Sequence, residues 1–159
     1  MMKFVKTLVS AFALSAALGA VAHADEIKRE PIPNFPISAA VVIPPSATNF
    51  YFSGTVPSKE GDSYGDTKQQ TINVLKKIEA KLKEYGLTMG DVVKMQVYLV
   101  ADKNKGNTMD FKGFMEGYTQ FFGTKEQPNM PVRSAFEVAA LANPEYLVEI
   151  EVSAAKILK

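Results

Sequence analysis

The chain has 159 residues, with 18 Lys and Arg against 17 Asp and Glu, one histidine, no cysteine and no tryptophan. So balanced a charge argues against an electrostatic nucleic-acid binder, and the length suits a single domain. Thiol nucleophiles and Cys-containing zinc sites are excluded by composition alone.

Lys3 and Lys6 precede a stretch without charge from Thr7 to Ala22, and Ala22-His23-Ala24 stands before the acidic Asp25-Glu26. A short basic start, an apolar run short of the roughly 20 residues of a membrane span, and small residues two apart make a signal peptide. Residues 1–24 are therefore expected to be cleaved, leaving an exported 135-residue protein in a bacterial periplasm with no membrane segment. His23, the only histidine, leaves with the peptide, which removes Ser-His-Asp triads and histidine bases from consideration. Loss of Lys3 and Lys6 leaves 16 basic residues against 17 acidic ones, about −1 in net charge. Arg, Lys, Asp, Glu, Tyr, Ser and Thr are left to carry any chemistry.

Residues 25–36, DEIKREPIPNFP, are charged and proline-rich, so residues 25–38 are expected to form an extended arm with no regular structure of its own. The domain proper then runs over 39–159. Ala39–Ile43 and Asn49–Ser53 are short apolar runs ended by Pro44-Pro45 and Gly54, and together they suggest a hairpin. A polar loop at 56–65 leads to the strongest helix signal, 66–85, with Leu75, Ile78, Leu82 and Tyr85 on one face, Asp66 as cap and Gly86 as stop. Residues 92–100 alternate as a half-buried strand. Phe111, Phe114, Tyr118 and Phe121 recur at helical spacing within 109–122, which reads as core packing. Two further strands, 132–138 and 146–155, flank the turn-like Ala142-Asn143-Pro144. Their alternation suggests that Val132, Phe136, Val138, Val148, Ile150 and Val152 face the helices, with Arg133, Glu137, Glu149 and Glu151 together on the other side.

The order is β-β-α-β-α-β-β, an α+β domain with a single sheet. Two helices cover one face of such a sheet, and its spare face is expected to meet another subunit. Arg133 presents a fork of donors suited to a carboxylate, yet spacing alone fits a salt bridge to Glu149 or Glu137 at least as well. Glu149 and Glu151 share a face, and in a partly desolvated cleft one of them would hold or exchange a proton; a solvated or salt-bridged face is the plainer alternative. Ser53-Gly54 closes a strand, either as a ligand contact or as a simple turn.

The runs FYFSGTVP at 50–57, QTINVLKKIEAKLKEYGLTMGDVVKMQVYL at 70–99, GYTQFF at 117–122, MPVRSAFEVAAL at 130–141 and LVEIEVSAA at 147–155 resemble the Rid (reactive intermediate deaminase, YjgF) family in that family's own order. The resemblance implies a chorismate-mutase-like fold and a homotrimer with ligand clefts between subunits. It also implies hydrolysis of 2-imino or enamino acids to 2-oxo acids and ammonia, without metal or cofactor. Arg133 then matches the arginine that binds the substrate carboxylate, Glu149 the glutamate that orients water, and Ser53 the serine at the cleft. Ile37 stands near the position of a family tyrosine, Thr55 replaces a glutamine, Ala135 a cysteine, and Ala140-Leu141 an Arg-Leu pair. A non-catalytic periplasmic binder of small carboxylates or amino-acid derivatives, and a chaperone-like stress protein, are the alternative readings.

Overall fold

The computed structural model describes residues 26–158; the expected signal peptide lies outside the described residues. Among the described residues seven strands and two α-helices follow in chain order, with two short 3-10 turns at Met89–Asp91 and Lys103–Lys105. The strands are β1 (Lys28–Pro31), β2 (Ser38–Val42), β3 (Ala47–Thr55), β4 (Val92–Asp102), β5 (Thr108–Met109), β6 (Val132–Val138) and β7 (Val148–Ile157); the helices are α1 (Thr67–Glu84) and α2 (Phe111–Tyr118). The main sheet runs β3-β7-β4-β6, with β5 also on β4, and β1 and β2 form a separate two-stranded ladder.

The α1 segment folds as its sequence requires. The Asp66 side chain accepts from the Gln69 N–H while the Gln69 amide accepts from the Asp66 N–H, a reciprocal cap, and Gly86 ends the helix in the left-handed region at φ 67°. Val74, Leu75, Ile78 and Leu82 are buried against Met95, Val97 and Leu99 of β4 and Val148, Ile150 and Val152 of β7. Gln70, also buried, donates to the carbonyls of Gly65 and Glu145 and accepts from the Leu147 N–H, so α1 grips the entry to β7. The second helix is shorter than its periodicity predicts, capped by Asp110 and ended at Tyr118; Phe122 packs into the core from the turn beyond it, and Phe121 is only half-buried.

Three expectations need correction. Residues 28–31 are not irregular: they pair antiparallel with β2, because an edge ladder needs only backbone groups and tolerates a charged, proline-ended strand. The proposed hairpin between 39–43 and 49–53 is absent, since β3 pairs with β7. Third, Arg133 and Glu149 do not share a face. β4 and β6 are parallel with Met95 opposite Arg133, whereas β4 and β7 are antiparallel with Val97 opposite Ile150 and Tyr98 opposite Glu149. Directly opposed residues project to the same side, so Arg133, Ala135 and Glu137 face the helices, whereas Phe136, Glu149 and Glu151 face away. Odd and even carry meaning within one strand, and the loop at 139–147 resets them.

Candidate functional site

Arg133 projects from β6 onto α2. Helical spacing places Phe111, Phe114 and Tyr118 on the side of α2 that meets it, with the guanidinium carbon 5.8, 5.0 and 4.4 Å from their ring centres. A fourth ring, Phe35 from the β1–β2 turn, lies 5.6 Å away. These separations fall within the range of cation–π attraction. The aromatic stripe that sequence reading assigned to the core is therefore also the frame of a cation. Its repeat opposite an arginine-bearing strand was the available signal, and spacing alone could not tell frame from filler.

The polar neighbours of the guanidinium are uncharged: it donates to Met115 Sδ at 3.2 Å and interacts with the Tyr118 hydroxyl. A thioether is a weak acceptor, and an arginine carries five N–H donors. Among the described residues no carboxylate forms an ion pair with Arg133, which removes the salt-bridge reading. Burial lowers the proton affinity of Arg133, opposed by Tyr118. The same burial pushes the Tyr118 phenol well above the usual tyrosine range, with Arg133 opposing, so this hydroxyl stays protonated and donates to the Pro36 carbonyl at 2.8 Å. The result is a half-buried cation with spare donors and no counter-ion.

Ile37 lines a cavity of about 300 Å³ together with Ile32, Val132 and Arg133, and no acidic side chain lines it. Ala135 follows Arg133 on the same face of β6, half-buried beside Val97.

Glu149 belongs to a different neighbourhood. It stands between the buried Val148 and Ile150 and points to the open face of the sheet. Between Phe52 and Thr55 the β3–β7 register shifts, leaving Ser53-Gly54 as a bulge. A side chain on Gly54 would collide with the Glu149 carboxylate, so glycine is what lets that carboxylate lie against the β3 backbone. Ser53 is exposed next to it. A second cavity of about 320 Å³, lined by Tyr98, Val138, Ala140, Leu141, Glu149 and Glu151, opens on this face. The fold thus brings Arg133 to Ile37 and Ala135, and Glu149 to Ser53-Gly54, but separates the two groups within one chain. Among the described residues no three metal-ligating side chains converge, and no helix is long and apolar enough to cross a membrane.

The family model described as endoribonuclease L-PSP matches residues 28–156. The chain belongs to this family, which includes the Rid and YjgF proteins. A RutC family protein of Pyrococcus horikoshii is 38% identical over 130 residues, covering 79% of this chain and 91% of that protein. An Escherichia coli protein named "Putative reactive intermediate deaminase TdcF" is 32% identical over 108 residues, covering 67% and 78%. Among solved structures, a Rid-family protein of Yersinia pestis superposes with a TM-score of 0.61 at 27% identity, over 76% of this chain and 87% of that one. A YjgF-family protein of Mycobacterium tuberculosis gives 0.53 at 34% identity, over 74% and 84%. Membership accounts for the α+β fold, and the matched residues reach back to β1.

Proposed function

We propose that this Rid-family protein hydrolyses small 2-imino or enamino acids to 2-oxo acids and ammonia, with Arg133 binding the substrate carboxylate. The observation that carries this reading is the half-buried guanidinium with spare donors and no carboxylate partner. Removing a charge from water without a counter-ion is costly, and a ligand carboxylate received by two parallel hydrogen bonds offsets that cost. The deaminase name of the Escherichia coli relative supports the same chemistry.

The reaction needs a water positioned against the C=N carbon and a group to hold its proton. Glu149 accepts a hydrogen bond from that water. The O–C bond forms as the nitrogen gains a proton, and the carbinolamine collapses with cleavage of C–N, releasing ammonia and leaving C=O. The chain's own groups supply binding, orientation and proton handling, without a cofactor or metal. Because Arg133 and Glu149 face opposite sides of one sheet, the site is completed between copies of the chain, Arg133 of one meeting Ser53, Gly54 and Glu149 of the next, in a homotrimer. Apolar side chains on the open face favour such cover: Tyr51 is 80% exposed and Phe136 48%. The basic and then apolar N-terminal residues, read as an export signal, support a periplasmic setting for this assembly.

Other family members bear endoribonuclease names, among them a Thermotoga maritima protein of 27% identity. The deaminase reading is preferred here because the described residues contain no histidine and the charge is nearly balanced. The test generates imino acids in situ with an amino-acid oxidase and follows 2-oxo acid release. Wild type should accelerate release over buffer, and Arg133→Ala and Glu149→Gln should each lower kcat/KM at least ~100-fold. No acceleration by wild type with several amino acids refutes the deaminase, and Arg133-dependent binding of 2-oxo acids without turnover would leave a carboxylate-binding protein.

A further inference from the structure

Phe35 is 38% exposed, whereas two of the other three rings around Arg133, Phe114 and Tyr118, are inaccessible to solvent. Phe111 is half-buried, so Phe35 is the most exposed ring of the frame and the one a ligand arriving from solvent meets most openly. The turn that carries it is well fixed. The Ile32 N–H donates to the Ile37 carbonyl at 3.0 Å, the Phe35 N–H to the Ile32 carbonyl at 3.2 Å, and Asn34 takes the left-handed conformation at φ 59°. Around the turn, the Tyr118 hydroxyl holds the Pro36 carbonyl, Ser38 binds the carbonyls of Met130 and Pro131, and Arg29 donates to the Gly90 carbonyl at 2.8 Å. With the backbone of the turn already held, only the side-chain torsions of Phe35 remain to be ordered when a ligand packs on its ring.

From this geometry we infer that Phe35 is a specificity-determining residue, selecting carboxylates whose substituent is apolar and large enough to lie on its ring. The inference rests on the reading of Arg133 as carboxylate anchor. Ile32 and Ile37, at either side of Phe35 in the turn, line the cavity that Arg133 also lines, and no acidic side chain does. Ser38, Lys94 and Ser134 also line it, so the cavity is mixed, and the apolar side chains offered to a ligand whose anionic head sits on Arg133 are those of Ile32, Ile37 and Val132 on the side of the Phe35 turn. A cavity of about 300 Å³ is at the small end of ligand sites, which suits one ring or a short branched chain.

The experiment measures binding of 2-oxopropanoate and 3-phenyl-2-oxopropanoate by calorimetry to the assembled protein, and kcat/KM with the imines formed from alanine and phenylalanine. Wild type should favour the phenyl compound by about 10-fold in both measurements. Phe35→Ala should bring that ratio to about 1, and Phe35→Leu, which keeps apolar area without the ring, should give an intermediate value and guards against misfolding of the alanine variant. A ring that only steadied Arg133 would weaken both acids alike and leave the ratio intact; that result, or a wild-type ratio near 1, overturns the inference. If Arg133→Ala binds both acids as wild type does, the anchoring reading fails, and this inference with it; Arg133-dependent binding without discrimination sinks the inference alone.

Discussion

The two halves of the proposed site are built in opposite ways. Arg133, on β6, is enclosed by side chains from two other segments, the β1–β2 turn and α2, and its cation is held on aromatic faces. Glu149 rests on one neighbouring strand, on an open face, with room made by the missing side chain of Gly54. The contrast teaches that the binding half is preorganised inside one chain, whereas the reacting half waits for cover. A cation in such a frame cannot swing across the sheet to reach a carboxylate on the far side, which is why the proposed site calls on a second chain.

The sharpest way to break that comparison is to mix variants. Arg133→Ala and Glu149→Gln, each nearly inactive, should regain deaminase activity when unfolded together and reassembled, because some interfaces then combine an intact arginine with an intact glutamate. Absence of recovery in a mixture shown to co-assemble places both residues in one chain's site. Phe136→Asp puts a charge on the open face; it should dissociate the assembly in sedimentation and remove turnover while the far-ultraviolet dichroism of the helices persists. Gly54→Ala, more local, displaces the Glu149 carboxylate and should lower kcat about 10-fold or more, with little change in 2-oxo acid affinity if the halves act as assigned.

The smallest effect concerns the frame. Tyr118→Phe leaves the Pro36 carbonyl without its donor and should cost about 1 kcal/mol in denaturant unfolding. It also carries a pH signature. Burial raises the folded-state phenol well above its ordinary value of 10.0, so the unfolded chain loses this proton first. Stability from Tyr118 is full below pH 10 and declines as pH rises beyond it; the phenylalanine variant should lack that part of the alkaline decline.

What the sequence made legible was local. The cap at Asp66, the stop at Gly86 and the apolar repeat define α1 without reference to the rest of the molecule, and the structure adds Gln69 as the cap's reciprocal partner. β6 likewise begins and ends where its residues predict. Pairing was not legible: 39–43 has strand character whichever partner it takes, and its choice of 28–31 depends on contacts distant in the chain, such as Arg29 on Gly90 and Ser38 on Met130. Arg133 and Glu149 were visible as residues, but their placement on opposite faces was set by strand directions across a loop. The frame is not legible in sequence because an aromatic at i, i+3 and i+7 looks the same whether it packs on leucine or on a guanidinium.

The loop at 139–147 has one more consequence. Its last residues are clamped by Gln70 through Glu145 and Leu147, whereas Ala139, Ala140 and Ala142 are exposed. Since strand parity is not transmitted across it, the stretch at 139–142 can gain or lose residues, odd or even in number, and Glu149 will still emerge on the open face. One residue added inside β4 would instead invert every side chain beyond it. Length variation in this molecule is therefore cheap at the rim of the Glu149 cavity, where it would remodel the space around a ligand, and ruinous one strand away.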